Sequence, residues 1–274
     1  MGRHPNIILC IESIPRQEVC GKVNQFLEFT SDLTIGLIND TSVIIDDDIS
    51  NEKEYKGISK EEALYKIKNT IREKTLCKSL HSFTTLGGLK GLEDIGLNQV
   101  ACYASITWQP PFKRLTLNFM LDCGSMFQVY DSDDEKRKRV YKRCNWIISV
   151  ADSIWDKIKP NILIADFEVQ QAIYFQEEKY SWMPWLIYTD TKERFQKILI
   201  KLHGNESKKL SELPFDKIYS FLKRSAFFTE LKDNNSLKVI FNGAISEGKN
   251  YSNFLSEFMS KNGKENEEDS RFII

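Results

Sequence analysis

The sequence predicts an α+β fold, with a mixed or mainly antiparallel sheet packed by a long amphipathic helix. Three observations carry that expectation. Val140, Cys144, Ile147, Ile148, Ala151, Ile154, Trp155 and Ile158 recur at three-and-four spacing, with Lys, Arg, Asn and Asp between them, which puts the apolar set on one helix face. Ahead of this helix, residues 100–108 and 114–121 flank Gln109-Pro110-Pro111, and Leu115, Leu117, Phe119 and Leu121 alternate with Thr116 and Asn118. A period of two is the pattern of a half-buried antiparallel hairpin. Behind the helix, residues 162–167 form an apolar run of strand length.

The remaining elements follow in chain order. Residues 6–11 read as a strand. A helix over 15–29 places Val19, Val23, Phe26 and Leu27 on one side, and Pro15 suits its first turn, where a backbone N–H would lack a partner anyway. Residues 33–38 and 42–45 read as two strands joined by the turn dipeptide Asn39-Asp40. The polar stretch 46–57 reads as a loop. Ser59 with Glu62 three residues on is a capping box, opening a helix through Leu64, Ile67 and Ile71. Residues 82–96, rich in glycine, read as irregular.

In the second half, a strand is expected at 185–188 after Pro184, and partial structure over 192–202. A helix at 214–222, a strand at 237–241 and a helix at 251–259 complete the reading. No internal repeat and no long linker divides the chain. Residues 1–260 are therefore expected to form a single α+β domain, and 261–274 a disordered polar tail.

Composition excludes more than it names. A chain of 274 residues can bury a full core, and 41% hydrophobic with 28% charged residues is ordinary for a soluble globular protein. Its 38 basic and 39 acidic residues leave a formal charge of −1, so no global attraction draws it to nucleic acid or an anionic membrane. The basic run 136–142 is expected on the solvated face of the long helix, after Asp131, Asp133, Asp134 and Glu135, whose charges suit the helix N-terminus. No stretch approaches the ~18 apolar residues of a membrane span. The apolar run 7–11 is too short for a secretory signal. None of the six cysteines forms a Cys-x-x-Cys pair, and free thiols in apolar stretches act as small hydrophobes in a reducing compartment. The expected location is cytoplasmic.

Candidate chemistry is sparse. Asp166 and Glu168 alternate at a strand end, so both carboxylates fall on one side, where they can hold a divalent metal or share acid–base work. A nuclease of the carboxylate-x-Lys type would carry lysine at position 170, where Gln170 stands. Asp46, Asp47 and Asp48 form a second acidic cluster without EF-hand spacing. Gly87, Gly88, Gly91 and Gly96 surround Lys90, but no Ser or Thr follows it to complete a phosphate loop. His4, His81 and His203 lack metal-ligand spacing, and no Gly-x-Ser-x-Gly elbow occurs. No cofactor is expected. Among the tryptophans, Trp155 is expected in the core and Trp146 at the edge of its stripe. Trp182 and Trp185, in Trp182-Met183-Pro184-Trp185, follow a polar run; they suit either the core or a protein interface, which enriches exposed Trp and Met.

The strand 115–121, the helix end Ser153-Ile154-Trp155-Asp156, the strand 162–166 and the segment 182–186 together resemble the α+β immunity proteins of bacterial polymorphic-toxin systems. The resemblance covers the middle third of the chain and rests on pattern. It implies a non-enzymatic cytoplasmic protein that binds and neutralises a cognate toxin, and it carries over no functional residue. On this expectation the chain is an immunity-type inhibitor that occludes a protein partner. Asp46, Asp47, Asp48, Asp131, Asp133 and Asp134 would face a basic cleft, with Trp182 and Trp185 in contact. The alternatives are a metal-dependent hydrolase or nuclease using Asp166, Glu168 and a third carboxylate, or a component of a phage-defence complex.

Overall fold

The computed structural model describes residues 5–34, 37–45, 48–59, 61–62, 65–66, 69, 80–86, 88–90, 102–121, 134–167, 186–203, 213–225, 228–232 and 235–240. Its contacts divide the chain into two compact units, residues 1–126 with 145–163 and residues 127–144 with 164–274.

In the first unit six strands lie in the order β3-β2-β4-β5-β6-β1, each antiparallel to its neighbour. They are β1 (Pro5–Ile11), β2 (Leu37–Ile45), β3 (Asp48–Lys56), β4 (Leu80–Leu86), β5 (Cys102–Gln109) and β6 (Arg114–Leu121). With the helices described below, this is the α+β arrangement expected from sequence. The register sets Ala104 opposite Phe119 and Phe119 opposite Ile7; Ile106, Leu117 and Leu9 form the next row, and Trp108, Leu115 and Ile11 the next. All nine are buried. Side chains two apart on a strand share a face, so these rows make one apolar sheet face. The helix α1 (Arg16–Leu33) lies against β5 and β6 and buries Val19, Val23, Phe26, Leu27 and Thr30. Each large apolar side chain taken from water there is worth about 1.5–3 kcal/mol. Thr30 sits inside a helix at no polar cost, because its hydroxyl donates to the Phe26 carbonyl at 2.9 Å.

The opposite face of β5, β6 and β1 is mixed, with Ser105, Asn118 and Ile8 in one row and Thr107, Thr116 and Cys10 in the next, polar on β5 and β6 and apolar on β1 in both. The hairpin expected to be half-buried is buried on both faces in β6, since Thr116 and Asn118 are 4% and 8% exposed.

Three local expectations are corrected here. Asn39-Asp40 does not turn the chain, because β2 runs through it, and an irregular register between Leu37 and Thr41 absorbs the pair against β4. The polar stretch 48–56 is not a loop but the edge strand β3. Backbone groups make the ladder whatever the side chains are, and charged side chains are what an outer strand tolerates best. The glycine-rich stretch begins with a strand, as β4 occupies Leu80–Leu86 between β2 and β5. The Ser59 half of the capping box is formed, as the Glu62 N–H donates to the Ser59 hydroxyl at 3.1 Å, while Leu64, Ile67 and Ile71 lie outside the described residues.

The helix α2 (Asp134–Ile158) begins in the second unit and ends in the first. Over 145–158 it buries Ile147, Val150, Ala151, Ile154 and Ile158 and exposes Asn145, Ser149, Ser153, Asp156 and Lys157. Ile148 and Trp155, expected on the buried stripe, are half-buried beside it. The strand β7 (Ile162–Phe167) starts in the first unit and runs into the second.

Within the second unit β10 (Leu237–Ile240) pairs antiparallel with both β8 (Leu186–Thr189) and β9 (Phe228–Leu231). Strand β9 has no counterpart among the sequence expectations. The helix α3 (Lys192–His203) lies on β8, and α4 (Phe215–Ser225) touches α3 and β9. Helix α3 is continuous, not partial. The Thr191 hydroxyl accepts the Arg194 N–H at 3.2 Å and caps its start, and Asp190 pairs with Arg194 at 2.6 Å. The stretches 251–259 and 261–274 lie outside the described residues. Among the described residues no helix is long and apolar enough to cross a membrane.

Candidate functional site

The register that aligns Ile11, Leu115 and Trp108 brings three connections to one end of the first unit's sheet. These are the exit from β1 (12–15), the β5–β6 turn (109–114) and the link from α2 into β7 (159–161). Backbone and side-chain hydrogen bonds tie them together. The Ile14 N–H donates to the Lys113 carbonyl at 3.0 Å. The Asn161 N–H donates to the Cys10 carbonyl at 2.9 Å, and the Asn161 side-chain oxygen accepts the Glu12 N–H at 2.6 Å. On α1, the Lys22 ammonium donates to the Ile158 carbonyl at 2.6 Å, one of the last four helix carbonyls that lack a partner inside the helix.

Local sequence explains the shape of each connection. Pro110-Pro111-Phe112 makes one 3-10 turn, closed by the Lys113 N–H on the Pro110 carbonyl at 3.1 Å; proline is pre-set for the first positions of such a turn. Lys113 then takes a left-handed conformation at φ 47°. Ser13, at φ 55°, and Lys159, at φ 51°, do the same in the other two connections. Left-handed backbone is uncommon for residues with a Cβ. Of the four such non-glycine residues among those described, three stand at this end, and the fourth is Asn235 of the β9–β10 turn. The interlocking hydrogen bonds hold these conformations in place.

This braced rim presents an aromatic ring to solvent. Phe112 is 68% exposed, with the Arg114 guanidinium 5.9 Å from its ring centre. Its chain neighbours Pro111 and Lys113 are exposed, as are Pro15 and Lys159 in the other two connections. The connections and the first turn of α1 carry four cations, Arg16, Lys113, Arg114 and Lys159, against the carboxylates Glu12 and Glu18. Such a surface offers an apolar anchor within a net-positive border.

None of the described site residues singled out from sequence stands in these three connections. Asp48 opens β3, Asp134 opens α2, and Asp166 is the next-to-last residue of β7. Asp46, Asp47, Asp131, Asp133, Glu168, Trp182 and Trp185 lie outside the described residues. Among the described residues no group of three or more His, Cys, Asp or Glu gathers as a metal site. The rim is not among the sequence expectations, although Pro110-Pro111 marks the break between two strands. An aromatic residue followed by two cations directly after a Pro-Pro turn is the signal that points to it.

No family model matches the chain, and no curated protein matches it. Among solved structures, a chain from the crystal structure of the toxic C-terminal tip of CdiA from Pseudomonas aeruginosa in complex with immune protein is similar at a TM-score of 0.35 and 11% identity, over 64% of this chain and 92% of that one. A TM-score at that level does not establish a common fold.

Proposed function

We propose that this chain is a non-enzymatic, immunity-type binding protein of the cytoplasm that occludes a protein partner. The observation that carries the reading is Phe112, a large apolar side chain 68% exposed on a rim whose backbone is tied at four points. Phe and Arg are enriched at protein interfaces, and a surface already rigid before binding loses little freedom on docking. The acidic stretches 46–48 and 131–134, with Trp182 and Trp185, are proposed as further contacts, and a protein that carries a toxic activity is the proposed partner.

The test is capture of stoichiometric partners on the tagged full chain, followed by co-expression of the captured protein with wild type or with Phe112→Ala. The expected result is a toxic partner that wild type neutralises and the variant does not. A partner without toxicity, or one neutralised equally by both, refutes the reading.

A further inference from the structure

We infer that the rim docks into an apolar socket ringed by carboxylates on the partner, with Phe112 as the inserted group. This rests on the proposal that the rim binds protein and adds the chemistry of what it binds. Lys113 and Lys159 are both exposed and have no carboxylate partner among the described residues. Lys113 directly follows Phe112, and Lys159 stands in a second connection at the same end of the sheet, the two connections being tied through the backbone of Lys113 and Asn161. The ring supplies the apolar contact, and the two ammoniums supply attraction and orientation for negative charge at the border. The Arg114 guanidinium lies over the ring, 5.9 Å from its centre, a cation–π contact that steadies it.

A basic border around an aromatic ring is also what single-stranded nucleic acid recognises. Such binding needs a charged groove that follows the backbone and several rings for successive bases. Among the described residues the rim presents only Phe112, the other exposed ring, Tyr65, belonging to the segment after the Ser59 cap, and the chain has a net charge of −1, so the protein socket is favoured.

The probe is a displayed library of random short peptides selected on the immobilised full chain. Affinities of the enriched peptides, and of a labelled single-stranded DNA oligonucleotide, are then read by fluorescence anisotropy. The expected peptides combine Asp or Glu with Leu, Ile or Met and bind more weakly as salt is raised. Phe112→Ala weakens them about 30-fold, and the double reversal Lys113→Glu with Lys159→Glu weakens them as well. Circular dichroism confirms that each variant is folded. The inference is overturned by no enrichment, by enriched peptides without acidic residues, by equal binding to Phe112→Ala, or by DNA that binds more tightly than any peptide. No toxin enters this experiment. If acidic peptides bind as expected while the captured partner proves harmless, the inhibitor reading fails and the socket chemistry stands.

Discussion

Removing the Asn161 side chain tests whether the three connections really brace one another. Its oxygen accepts the Glu12 N–H across a separation of 149 residues, at 2.6 Å and in a partly buried position. In Asn161→Ala that N–H loses its acceptor where water reaches it only in part. A donor orphaned in this way costs about 1–3 kcal/mol when fully buried, and partial access to water places the loss at about 1–2 kcal/mol. For a chain of this size that corresponds to a fall in Tm of roughly 2–4 °C per kcal/mol. Asn161→Asp keeps an oxygen at the same place and makes the bond charge-assisted, so it should lose less than half as much. Urea unfolding followed by tryptophan fluorescence measures both variants against wild type, with an unchanged m-value as the control for a comparable unfolded state. An alanine variant as stable as wild type, or an aspartate variant as damaged as alanine, would show that the connections are held by something other than this bond.

Three further outcomes follow from the same structure. Phe112→Ala should leave stability within about 0.5 kcal/mol of wild type, because an exposed side chain contributes little to folding; thermal melts check this and make any loss of binding interpretable. Phe119→Ala, fully buried between Ala104 and Ile7, should cost about 3–5 kcal/mol through lost burial and the cavity left behind, measured by the same urea titration. Thr189 is fully buried with a hydroxyl that finds no hydrogen-bond partner among the described residues. Thr189→Val keeps the shape and removes that orphan, so it should raise stability by about 1 kcal/mol, read as an increase in urea midpoint.

Part of this fold is legible in the amino-acid sequence. The β5–β6 hairpin, the strand Ile162–Phe167, the apolar face of α1 and the Ser59 cap are written in short-range patterns: a period of two, an apolar run, a period near 3.6, a hydroxyl three residues ahead of a glutamate. Each depends on residues close in the chain, and such patterns survive folding because they are satisfied locally. Strands β3, β4 and β9, and the passage of β2 through Asn39-Asp40 into the expected strand 42–45, are not legible in this way. Asn39-Asp40 carries turn chemistry, and 48–56 is almost wholly polar, yet both pair in the sheet. A strand is completed by hydrogen bonds from its neighbour, and that neighbour is chosen by the register of the whole sheet rather than by its own side chains.

The rim shows the same division. The sequence alone determined that Pro110-Pro111 would turn the chain between two strands, and it put Phe112, Lys113 and Arg114 directly after that turn. Only the tertiary structure decided that Ser13, Lys113 and Lys159, distant in the chain, would stand at one end of the sheet in left-handed conformations and that Phe112 would be left in water. Exposure of an aromatic residue is a property of what packs around it, and the groups tied together here come from three separate connections. No local pattern encodes that meeting, because it is set by the antiparallel register of β1, β5 and β6.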